Sequence, residues 1–89
     1  GPGGRPSMQP KHYYSDIGRV TVSAEEVPVI NGEGQPAAPR YRGILREVAT
    51  DGSDGRAHKI AESSSVRETY EEAVSDGHEI AKARGYRAG

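Results

Sequence analysis

There is no cysteine, no phenylalanine and no tryptophan in this chain of 89 residues, and only one methionine. The missing cysteine removes disulfides and thiol nucleophiles together. The missing Phe and Trp leave the aromatic bulk to Tyr13, Tyr14, Tyr41, Tyr70 and Tyr86. No apolar run approaches the ~20 residues a membrane-spanning helix needs, and no secretory leader is recognisable. Charge of one sign is lacking as well, since twelve Lys and Arg against thirteen Asp and Glu give a net charge of −1. That balance lacks the positive excess usual in nucleic-acid binders, and also the self-repulsion that keeps disordered chains open. Without leader, span or disulfide, the chain is expected in the cytoplasm. Its preference for Arg over Lys suits a GC-rich bacterial genome.

What is present reads as one small domain. Residues 1–7 look like a vector-derived remnant ahead of Met8, residues 8–16 like a flexible N-terminal segment, and 17–89 like a single α+β domain. A chain this short buries only roughly 60% of the surface its unfolded form exposes. With no disulfide and no metal-ligand cluster to reinforce it, self-association is the remaining source of buried surface, and a homodimer is expected.

The C-terminal third carries the clearest pattern. Tyr70, Ala73, Val74, Gly77, Ile80, Ala81 and the Arg84 stem recur at spacings of three and four, which places them on one face of a helix over 69–84. Thr69 is the expected N-cap, with Glu72 reaching back to it; Ser65 with Glu68 would form a second box one turn earlier. Acidic residues crowd the first turns, and Lys82, Arg84 and Arg87 the end, as the helix dipole favours. Gly85 stands where a glycine ends a helix, and Tyr86 follows it for the usual apolar contact. Gly77, in mid-helix on the apolar face, predicts close approach to a sheet or a partner, since glycine there costs up to ~1 kcal/mol against alanine.

Upstream, Tyr41–Ala49 and Arg56–Glu62 read as strands of a hairpin joined by the turn formers Thr50 to Gly55. Ile17–Val22 is a further strand. Val27–Ile30 is a short one, confined by Pro28 to an edge or bulge, and Asn31-Gly32-Glu33-Gly34 is a turn. The expected fold is α+β: an antiparallel sheet of three to four strands with one C-terminal amphipathic helix packed on it. In the hairpin, Ile44, Val48 and Ile60 share a parity with Arg42, Arg46, Arg56 and His58, whereas Tyr41, Leu45, Ala49, Ala57 and Ala61 occupy the other. The small residues of the second face suit a packed helix. The mixed face is then left partly exposed, as a sheet that mediates a dimer would be.

No catalytic, cofactor or metal site stands out, and the chain is expected not to be an enzyme. Asp51 to Gly55 looks like the start of a calcium loop, with Glu62 at position 12. Gly55 brings no ligand at position 5, however, and Arg56 replaces the glycine needed at position 6. His12, His58 and His78 fall on the N-terminal segment, a strand and the polar helix face, without metal-type spacing. No Gly-x-Ser-x-Gly elbow is present, and Glu25-Glu26 and Glu71-Glu72 are neighbours whose side chains diverge.

Charge distribution carries the functional content. Arg40, Arg42, Arg46, Arg56 and Lys59 make the hairpin basic, while Glu62, Glu68, Glu71, Glu72, Asp76 and Glu79 make the helix region acidic. The candidate contact residues are Arg40, Tyr41, Arg42, Arg46, Arg56 and His58, with Tyr13 and Tyr14 near Lys11 as stacking groups. The first reading is a protein-interaction or assembly module with an unidentified protein partner, in which the arginines form rim and cross-strand ion pairs. The alternative is a nucleic-acid-binding module that uses the basic face of the 41–62 hairpin. The stretch from Tyr41 to Gly85, with Thr69, Glu71, Glu72, Ala73, Ile80, Ala81, Lys82 and Gly85 in its helix, is similar to small β-β-α proteins and more distantly to HicB-like antitoxins. The resemblance covers half the chain and rests on helix-capping chemistry that many families share. An antitoxin of that kind also carries a separate DNA-binding segment, which the matched residues do not include.

Overall fold

The computed structural model describes residues 10–49 and 55–89. Within them the chain forms an α+β fold, one antiparallel sheet of five strands and one C-terminal helix. In chain order these are β1 (His12–Tyr14), β2 (Gly18–Val27), β3 (Arg40–Ala49), β4 (His58–Glu62), α1 (Tyr70–Ala83) and β5 (Arg87–Ala88). Across the sheet the order is β4-β3-β2-β1-β5. The residues read as a vector remnant, and most of the turn after Ala49, lie outside the described residues.

The centre of the sheet is the pair β2 and β3, in register along all ten residues from Gly18 opposite Ala49 to Val27 opposite Arg40. β2 is longer than its sequence signal and stops at Val27 because Pro28 cannot continue the ladder. Beyond it, Ile30 makes only a single bridge to Pro36, closed by the expected turn in which Asn31 Oδ1 accepts from the N–H groups of Glu33 and Gln35.

Two strands that the sequence did not announce, β1 and β5, bring the sheet to five, close to the expected three to four. The segment expected to be flexible supplies β1, whose middle residue Tyr13 is 2% exposed and belongs to the core. β5 is a two-residue strand laid against β1 after the helix, with Tyr14 opposite Arg87 and Tyr13 opposite Ala88.

Helix α1 forms where the capping residues dictate. The Thr69 hydroxyl accepts from the Glu72 N–H at 3.2 Å and donates to the Glu72 carboxylate at 3.0 Å. Ser65 and Glu68 do not start a helix, since the chain there folds back so that Arg67 and Tyr41 exchange backbone hydrogen bonds. At the other end Gly85 has φ +79°, which a residue with a Cβ adopts only at a cost. Its N–H bonds to the Lys82 carbonyl, and that of Tyr86 to the Ala81 carbonyl, the paired closure of a Schellman motif.

α1 lies over β3 and β2, and glycines make that approach possible. A Cβ on Gly43 would collide with the Ala73 carbonyl and come within 2.8 Å of the Gly77 nitrogen. One on Gly77 would come within 2.6 Å of Val22 Cγ1. Close approach at Gly77 is therefore present, and its counterpart is a strand glycine, Gly43. The core between the two layers is small: Tyr13, Val20, Leu45 and Ala81, with Val22, Ile60, Ala61, Ile80 and Tyr86 packed against it.

His78 departs from its expected place on the polar helix face. It is 5% exposed and its Nδ1 lies 2.8 Å from the Tyr13 hydroxyl. In the tautomer protonated at Nε2, the Tyr13 hydroxyl donates a hydrogen bond to Nδ1. Burial, and secondarily the Lys82 charge, push the imidazole below its ordinary pKa of 6.5, with Glu79 opposing.

Candidate binding face

Strand alternation divides the sheet into two faces. Gly43 and Leu45 face the helix, and with them, by parity and register, Tyr41 and Glu47 of β3, Val20, Val22 and Ala24 of β2, and Tyr13 of β1. The opposite face has no element packed on it among the described residues. It presents Arg40, Arg42, Ile44, Arg46 and Val48 from β3; Arg19, Thr21, Ser23, Glu25 and Val27 from β2; His12 and Tyr14 from β1; Lys59 and Glu62 from β4; and Arg87 from β5. Six cations against two carboxylates leave this face a surplus of four positive charges, in a chain whose net charge is −1.

Part of that charge is internally paired. The Arg42 guanidinium lies 3.3 Å from the Glu62 carboxylate and 3.9 Å from that of Glu25. Lys59 bridges the same two acids at 3.1 Å each, and these hydrogen bonds raise its pKa above the ordinary 10.5. Arg46 donates to the Ser23 hydroxyl at 3.2 Å. Ile44, fully buried although on this face, sits among Arg42, Arg46, Ser23 and Glu62. Each exposed pair is individually worth little; together they hold four long side chains in one arrangement over the sheet.

The rest is unpaired. Arg19, Arg40 and Arg87 have no ion-pair or hydrogen-bond partner among the described residues. Arg19 and Arg87 flank Tyr14 in one row across three strands. Tyr14, 40% exposed, is held by His12: their rings meet edge to face at 5.0 Å, with Nε2 and the hydroxyl 3.0 Å apart.

The candidate contact residues divide accordingly. Arg40, Arg42 and Arg46 stand together on the open face, and Tyr14 joins them. Tyr41 is on the helix side, its ring edge-on to Tyr70 at 5.9 Å. His58 begins β4 opposite Glu47, also with helix-side parity, and Arg56 lies exposed ahead of that strand. Parity counted through the hairpin fails there because of a bulge: Leu45 pairs with Ala61 but Arg46 with Lys59, so Ile60 drops out of the ladder and packs toward the core. Tyr13 is a core residue and not a stacking group. Glu62, grouped by sequence with the acidic helix, ends β4 inside the ion-pair network of the basic face. Arg19 was reachable by its alternation with Val20 and Val22; Arg87 was not, because nothing in two residues announces a strand.

A cleft of about 490 Å³ opens at one end of the molecule, where Tyr14, Asp16, Arg84, Tyr86 and Arg87 line the space between the β1–β2 turn and the end of α1. No group of three or more His, Asp or Glu among the described residues is placed to hold a metal ion. No helix among them is long and apolar enough to cross a membrane. Comparison of the chain with protein-family models, with curated proteins and with solved structures finds no match.

Proposed function

We propose that this chain is a non-catalytic assembly module that binds protein through the open face of its sheet, a second copy of itself being one such partner. The observation that carries this reading is the segregation of charge across a two-layer body only 18 Å thick in its shortest dimension. One side is the basic sheet face; the other is the outer surface of α1 and the turn leading into it, with Glu68, Glu71, Glu72 and Glu79 exposed. A patterned face, in which Glu25 and Glu62 fix some cations and leave others free, suits a protein partner of defined shape. Two such faces repel each other, so the sheet-to-sheet dimer that the sequence suggests is opposed by like charge.

A second reading, single-stranded nucleic acid on the same face, has one observation in its favour: the row Arg19, Tyr14, Arg87, an exposed ring between two guanidinium groups without a partner among the described residues. Two carboxylates within the face and a net charge of −1 weigh against it.

Size exclusion with light scattering, at low and high salt and with and without a mixed oligonucleotide pool, separates the two. Assembly gives a mass above one chain that rises with concentration and ignores the oligonucleotide. A single-chain mass that increases only with oligonucleotide at low salt overturns it, and so does a single-chain mass under every condition.

A further inference from the structure

We propose that the open sheet face of one copy receives the N-terminal end of α1 from a second copy, so that the chain assembles head to tail. This rests on the assembly reading above. It adds which surfaces meet and what symmetry results.

The donor surface surrounds the start of the helix. Tyr70 is 45% exposed and Val66 40%, two apolar groups open to solvent at one end of the helix. The Tyr70 ring is held in place by its edge-on contact with Tyr41 at 5.9 Å, so little freedom is lost when it docks. Around these two groups stand Glu68, Glu71 and Glu72. Asp76 is already bound by Arg67 through two hydrogen bonds, at 2.7 and 3.1 Å, and Glu79 by Lys82 at 3.4 Å. Five carboxylates against Arg67 and Lys82 leave this surface a surplus of three negative charges. Glu72 is held by the Thr69 hydroxyl, and an ordered aromatic ring rimmed by carboxylates is the form a docking anchor takes.

The receiving surface is complementary. Arg19 and Arg87, in one row with Tyr14, have no side-chain partner among the described residues, whereas Glu25 and Glu62 are occupied by Arg42 and Lys59 and do not compete for them. Pairing like faces sets charges of one sign against each other in both possible symmetric dimers. Only the unlike pairing brings opposite charges together. Donor and receiver lie on opposite sides of the body, so both can be engaged at once. Such a contact is heterologous and extends into chains or a ring instead of closing in a pair.

Two variants test the geometry, each confirmed folded by circular dichroism. One has a disabled sheet face, Arg19→Glu with Arg87→Glu. The other has a disabled helix end, Glu68→Gln, Tyr70→Ala and Glu71→Gln together. In light scattering at low salt the natural chain is expected to exceed two copies at high concentration, and each variant alone to stay a single chain. An equimolar mixture of the variants should form one two-chain species, because the intact helix of the first fits the intact sheet of the second and neither can extend further. If the helix variant still self-associates, the contact is not helix to sheet; the inference falls while the assembly reading stands. The same holds if the mixture stays monomeric while the natural chain associates. A natural chain that is a single copy at every concentration overturns both.

Discussion

Gly43 and Gly77 meet where the backbone of β3 touches that of α1, and the two are unequal in what they tolerate. At Gly77 a methyl group would press on Val22 Cγ1, the end of a side chain, and alanine would return up to ~1 kcal/mol of helix propensity. At Gly43 the same methyl would strike the Ala73 carbonyl and the Gly77 nitrogen, which move only if the helix lifts. Gly43→Ala is therefore expected to destabilise the fold by about 2–3 kcal/mol, the upper part of the range for overpacked cores, and Gly77→Ala by under ~1 kcal/mol. Urea unfolding of both variants checks the order, and equal losses would refute the account of the contact. The buried pair Tyr13–His78 makes a second prediction. Unfolded, His78 takes up a proton near pH 6.5; folded, it does so only at lower pH. Between those values the unfolded chain binds more protons. Stability should thus be full above pH 6.5, fall as the pH drops through that value, and level off below the folded pKa. The slope contributed by one proton is at most about 1.4 kcal/mol per pH unit. His78→Gln should flatten the fall between pH 7.5 and pH 5 in urea midpoints, and an unchanged fall would exclude His78 as its source.

Elements with strong end signals were the legible ones. Thr69 and Gly85 mark the ends of α1 in the sequence and serve as its caps in the structure, and the helix spans 70–83 against the expected 69–84. β2 and β3 announce themselves by apolar alternation, and the parity of Arg40, Arg42 and Arg46 survives into the fold because no bulge interrupts β3 on that side. β1 and β5 were hidden, since strands of three and two residues carry no periodicity and are fixed by their neighbours. The bulge at Ile60 was hidden for a related reason: one residue leaving the ladder changes the face of everything before it, and no residue type requires it. His78 shows the same limit within a helix, because its burial depends on a tyrosine hydroxyl 65 positions away. The capping residues offer the direct check at this scale. Thr69→Ala should cost about 1 kcal/mol, and Gly85→Ala about as much, through a φ of +79° that alanine disfavours. For a domain of this size each corresponds to a drop of about 4–8 °C in the thermal midpoint. A Thr69→Ala variant with an unchanged midpoint would show that packing alone holds the helix end.

For the whole molecule, the net charge of −1 hides a division that bulk composition does not reveal. The sheet face and the helix face carry opposite surpluses on either side of a thin body, and screening acts over about 8 Å at physiological ionic strength. A flat surface brought against one face therefore senses mainly that face. This yields a prediction independent of any partner. At pH 7 and about 0.1 M salt, where screening still acts within about 10 Å, the chain should be retained on a cation exchanger in spite of its negative net charge, and on an anion exchanger as well. Arg19→Glu with Arg87→Glu should abolish the first and strengthen the second, because it removes two cations of the open face that have no partner among the described residues and adds two carboxylates there. Replacing Glu68 and Glu71 by Gln should weaken the anion-exchange retention and leave the cation-exchange retention in place, since those residues stand on the other side. If the natural chain passes through the cation exchanger unretained, the sheet face is not basic enough to act as a surface in its own right. The head-to-tail contact would then lose its electrostatic basis, and only the apolar anchors Tyr70 and Val66 would remain to support it.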